Sequence, residues 1–76
     1  MDPNACMREM ISNYHGGINS NDADALWWAK HHATELISWL IHGGFAPGNF
    51  DSRDVVGFAR IIRHLAQSHE DRLSAD

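Results

Sequence analysis

The sequence predicts an all-α fold, a small three-helix bundle running up-down-up, with surplus apolar surface that dimerisation would cover. Three observations predict it. Apolar residues recur at helical spacing in three separate segments, and each segment is bounded by capping and turn residues. No segment alternates apolar and polar with the period of two that a half-buried strand needs. The connections are short, which favours antiparallel neighbours. At 76 residues the chain makes a single domain, 1–76. A core of this size buries only ~60% of the unfolded surface, so stability needs help from tight helix packing, a metal or self-association. The one cysteine, Cys6, excludes an internal disulfide.

The first helix is expected over about 3–15. Asp2 can accept from free N–H groups at its start, and Pro3 at the first helical position loses a donor that had no partner. Met7, Met10, Ile11 and Tyr14 form one stripe, with Cys6 beside it. Gly16-Gly17 is the expected stop, because glycine accepts the left-handed conformation at a helix end.

The second helix is expected over about 21–42, capped by Asn21 or Asp22 and stopped by Gly43-Gly44. Ala25, Leu26, Trp28, Ala29, Ala33, Leu36, Ile37, Trp39 and Leu40 occupy one half of its circumference, interrupted only by His32. So wide an apolar arc implies two neighbours. The alanines at 25, 29 and 33 would let another helix come close. The segment Phe45-Ala-Pro-Gly-Asn-Phe50 reads as a turn whose phenylalanines fold back over the helix ends.

The third helix, about 52–72, opens with Asp51-Ser52-Arg53-Asp54. Val55, Phe58, Ala59, Ile62, Leu65, Ala66, His69 and Leu73 form its expected inner stripe, with Ile61 on the flank. Arg53, Arg60, Arg63, His64 and Gln67 lie outside. Ser74-Ala75-Asp76 should fray.

Composition narrows the function. The N-terminus lacks the basic start and apolar run of a signal peptide, and no apolar stretch reaches the ~20 residues needed to span a bilayer. Together with the lone cysteine this points to the cytoplasm. A net charge of −4 argues against general nucleic-acid binding. No cofactor motif is present. Neither glycine pair has the pattern of a phosphate loop. Cys6 could face His15 as a nucleophile but sits beside the methionine stripe, as a small core residue does. The chain is therefore expected not to be an enzyme.

Three polar groupings could carry chemistry. His31 and Glu35 are spaced to share an ion, but His42 lies two turns on, ~10 Å along the axis, too far to complete a site. They read as a solvated face, and no metal is expected. His32 and His69 both fall on apolar arcs and could meet each other, or their copies across a dimer axis, to form a pH-sensitive or zinc-binding pair, but packing alone also explains them. Arg60, His64 and Gln67, with Arg63 beside them, make a row that could take phosphates or an acidic partner. Asp54, Glu70 and Asp71 are near enough in sequence to neutralise it.

The tryptophans carry the main functional signal. Trp27, Trp28 and Trp39 all lie on the second helix. Trp28 and Trp39 share one side, whereas Trp27 points ~100° away from Leu26. A small domain can hardly bury both directions, and exposed tryptophans are typical protein-contact anchors. Trp27, Trp28 and Trp39 are thus the candidate partner-binding residues, with Arg60, Arg63 and His64 as a second set for an acidic partner. The simplest partner is a second copy, docking through the alanine-rich or tryptophan-bearing face of the second helix.

Asp2-Pro3-Asn4-Ala5, followed by Trp39-Leu40-x-x-Gly43-Gly44-Phe45-x-Pro47, resembles a pattern in short uncharacterised proteins of bacteriophages and their bacterial hosts. Many of those end near the proline, so the third helix is an extension. The resemblance implies a small helical accessory protein of mobile elements and no activity, cofactor or binding residue. The function expected is a non-enzymatic protein–protein interaction module that modulates a host or phage protein. The alternatives are a small nucleic-acid-associated regulator using the third helix, and a histidine-based metal or pH sensor.

Overall fold

A computed structural model describes residues 1–75; Asp76, included in the expected frayed end, lies outside them. The chain folds into three helices, α1 (Pro3–Ser20), α2 (Ala23–Ile41) and α3 (Ser52–Leu73), with no strand among the described residues. The backbone forms a rod of 41 × 17 × 16 Å. Central α2 packs along both neighbours, while α1 and α3 approach each other only marginally. The arrangement is the expected up-down-up bundle.

Each start has an aspartate cap. The Asp2 carboxylate accepts from the N–H groups of Asn4 and Ala5, Asp22 from those of Asp24 and Ala25, and Asp51 from that of Arg53. At the end of α2 the double glycine acts as expected. Gly43 takes a positive φ of 92°, and the Gly44 N–H donates to the Trp39 carbonyl at 2.8 Å, which closes the last turn.

The first glycine pair behaves differently. α1 continues through Gly16-Gly17 to Ser20 rather than ending at residue 15. Gly17 is buried, and a Cβ there would sit 2.7 Å from Leu26 Cγ. Its bare backbone lets α2 come close, and tertiary contact outweighs the ~1 kcal/mol that glycine costs inside a helix. The stop is Asn21 instead, left-handed at φ 51°, followed at once by the α2 cap Asp22.

The core joins Cys6 and Met10 of α1 to Ala33, Leu36, Ile37 and Leu40 of α2 and to Val55, Ala59 and Ile62 of α3. Ala29 and Ala33 are fully buried within the chain. The alanine-rich face, one of the two expected to dock a second copy, is therefore occupied by the chain's own neighbours. The inner stripe of α3 is also narrower than expected. Val55, Ala59, Ile62 and Ala66 are buried, whereas Phe58 and Leu65 are exposed. Phe45 and Phe50 are largely exposed; Phe45 folds back edge-on against Trp39 at the end of α2 but is not buried there. The turn they flank is held elsewhere: Pro47 is fully buried, and the Gly48 N–H donates to Asn4 Oδ1 at 2.7 Å. No helix among the described residues is long and apolar enough to cross a membrane.

Candidate interaction site

The outward face of α2 carries an aromatic cluster. Successive residues on a helix diverge by ~100°, so Trp27 and Trp28 flank the ridge on which His31 stands. Trp27 stacks on the His31 ring, 5.3 Å between centroids and 6° from parallel. Trp28 meets Trp27 edge-on at 4.9 Å and His31 edge-on at 5.6 Å. His32 closes the group at 6.0 Å from Trp28. The Glu35 carboxylate bonds His31 Nε2 from the next turn and fixes the ring against which Trp27 lies. Trp27 and Trp28 remain 50% and 48% exposed.

The structure thus separates the three tryptophans. Trp39 is half-buried, its Nε1–H donates to the Phe45 carbonyl at 2.9 Å, and Phe45 packs edge-on against its ring. The ring lies over Gly44 so closely that a Cβ there would overlap it. Trp39 belongs to the α2 stop signal. Its indole is engaged within the chain rather than offered beside Trp27 and Trp28.

Arg60, Arg63 and His64 are all exposed on one side of α3, and the two arginines border different depressions. Arg63 joins Trp27, Lys30, His31, Thr34 and Gln67 around a shallow depression of about 290 Å³ between α2 and α3. Arg60 lines a separate one of about 310 Å³ with Ile41 and Val56. Lys30, which the sequence reading did not single out, ties the first depression together. Its Nζ donates to Gln67 Oε1 at 2.8 Å and to Glu70 Oε2 at 2.7 Å. Glu70 therefore reaches across to α2 instead of neutralising the arginine row, while Asp71 accepts from Gln67 Nε2. Only the i, i+4 pattern within one helix is visible in a sequence; a Lys30–Glu70 pair depends on the register between two.

The histidines take separate partners. His69 Nε2 bonds Asn21 Oδ1 at the end of α1, and His32 packs against Trp28, so the two do not pair. Among the described residues no three His, Cys, Asp or Glu side chains converge on a common metal position. Cys6 is buried, and its Sγ–H donates to the His32 carbonyl at 3.3 Å. Burial, with the negative charge of Glu35 adding to it, pushes the thiol pKa up. The nucleophilic thiolate is therefore disfavoured. His15, the suggested base, interacts with Asn19.

Comparison with known proteins returns no match: no family model, no curated protein and no solved structure is significantly similar to the chain.

Proposed function

We propose that the protein is a non-enzymatic interaction module that docks a protein partner on the outer face of α2. The observation that carries this reading is the pre-assembled Trp27–Trp28–His31 cluster. Two large aromatic side chains are held against each other in solvent, so their rotamer freedom is already reduced before binding. Arg63 beside Trp27 supplies a charge for an acidic group at the rim. The resemblance to short phage and bacterial proteins supports a helical accessory protein of mobile elements, acting on a host or phage protein in the cytoplasm.

The test is binding to candidate host proteins immobilised in parallel. Wild type is expected to be retained by one of them, and Trp27→Ala and Trp28→Ala to lose retention while melting as wild type does. Retention that survives both changes would overturn the reading. The alternative, a nucleic-acid regulator, is favoured only by the presence of Arg63 and Trp27 around one depression. It predicts retention on DNA or RNA that weakens steeply with salt.

A further inference from the structure

Beside the buried stripe of α3 runs a second one that the chain leaves partly open. Asp54, Phe58, Ile61, Leu65, Ser68 and Arg72 follow one another at alternating steps of four and three, the spacing of a coiled-coil seam. Phe58, Ile61 and Leu65 are 37%, 57% and 42% exposed. Asp54 and Arg72 are at the two ends, and neither forms an ion pair among the described residues. The seam lies on the opposite flank of α3 from Arg63, so it is independent of the aromatic cluster on α2.

This seam is self-complementary in one direction only. We infer that it joins two copies of the chain as an antiparallel homodimer. Turned end over end about position 63, a second copy sets its Arg72 against Asp54, its Ser68 against Phe58 and its Leu65 against Ile61. Opposite charges meet at both ends, a small residue faces the largest, and the central aliphatic pair packs on the two-fold axis. A parallel pairing would instead bring Asp54 to Asp54 and Arg72 to Arg72. The helix dipole favours an acid early and a base late in any helix, but it does not place both on the azimuth of the apolar stripe.

The chain also provides a seat for the incoming arginine. Met7 and Ile11 of α1 with Phe50, Val55 and Phe58 enclose an apolar groove of about 350 Å³ in which Asp54 is the one charged residue. An arginine fits such a groove by laying its methylene stem on the apolar walls and pairing its guanidinium with the carboxylate. The seam is ~27 Å long, and a strip of that length across the 17 Å short axis covers roughly 450 Å² in projection, over half of the ~800 Å² per partner in standard interfaces. An interface of this size fits a weak, reversible dimer rather than an obligate one.

Sedimentation of the full chain from ~1 μM to ~1 mM, a range bracketing such a dimer, tests this. Wild type is expected to shift from monomer to dimer. Asp54→Arg and Arg72→Asp should each raise the dissociation constant at least ~10-fold, because each change replaces both symmetry-related ion pairs by like-charge contacts. The double exchange should return it to within ~3-fold of wild type, since opposite charges face each other again. Effects on the helix dipole would add in the double variant, whereas effects across the interface cancel. Circular dichroism at low concentration confirms that each variant is folded, and Trp27→Ala should dimerise as wild type does. A wild type that stays monomeric throughout overturns the inference. So does a dimer indifferent to the single charge changes, a double variant that is not rescued, or a dimer broken by Trp27→Ala.

Discussion

Asn4 and Gly48, 44 positions apart, are joined by a 2.7 Å hydrogen bond from the Gly48 N–H to the Asn4 side-chain oxygen. It brings together the Asp-Pro-Asn start of α1 and the Gly-Gly-Phe-x-Pro turn after α2. Gly48 has a positive φ of 56°, and Pro3 and Pro47 are both buried at this end. Asn4→Ala should cost about 1 kcal/mol, a typical net value for one hydrogen bond, which lowers the melting temperature by ~4–8 °C at this size. Asn4→Asp keeps the acceptor and should melt near wild type. Thermal denaturation of the two variants decides it, and equal losses would mean that the bond contributes nothing.

Gly16 and Gly17 should respond oppositely to the same change. Nothing lies within 4 Å of a Cβ at Gly16, so Gly16→Ala gains helix propensity and should stabilise by ~0.5–1 kcal/mol. At Gly17 the new methyl meets the buried Leu26 side chain and approaches the Leu26 backbone nitrogen at 3.2 Å. Overpacking costs ~1–3 kcal/mol, so Gly17→Ala should destabilise despite the same gain in propensity. Denaturant unfolding of both variants checks the sign of each.

The two glycine pairs also show how far the sequence reading reached. The capping aspartates, the Gly43-Gly44 stop and the three-helix order were legible because they depend on residues adjacent in the chain. Gly16-Gly17 carries the same local signal but serves a helix crossing, which depends on Leu26, nine positions beyond Gly17. The α3 stripe was legible as amphipathic, but not the division between its covered half and its open half. That division arises because α1 and α3 barely meet. Of the candidate site, Trp27 and Trp28 were legible as surplus aromatic surface. The removal of Trp39 to a helix stop, and the placement of Trp27 and Arg63 around one depression, depend on turn geometry and inter-helix register.

Cys6 gives the pH prediction. Its native thiol pKa is raised by burial first and by Glu35 second, above the ordinary 9.0. The folded protein therefore holds the proton more tightly than the unfolded chain does. The stability from this group is complete below pH 9.0 and declines as pH climbs from there toward the raised native value. Cys6→Ser removes this group and should lose less stability between pH 8.5 and 10.5. A thiol reagent at pH 8 should label native Cys6 far more slowly than the unfolded chain. Equal labelling rates would show that the thiol is open to solvent.

Trp27 and Trp39 should separate binding from folding. Trp27 is half exposed and its main contacts are rings on its own helix face, so Trp27→Ala should change stability by no more than ~0.5 kcal/mol, as surface changes do. Trp39→Phe keeps most of the apolar bulk but deletes the Nε1–H donor, leaving the Phe45 carbonyl without its partner at the α2 stop. That change should cost about 1–2 kcal/mol. It should leave partner capture intact once temperature is lowered to restore full folding. Melting curves and retention on the bound partner, measured on the same preparations, give four numbers with an expected pattern: Trp27→Ala loses retention alone, Trp39→Phe loses stability alone. The reverse pattern would move the interaction surface to the Trp39–Phe45 end of α2, where Ile41 is also exposed, and would make the Trp27–His31 stack a folding contact.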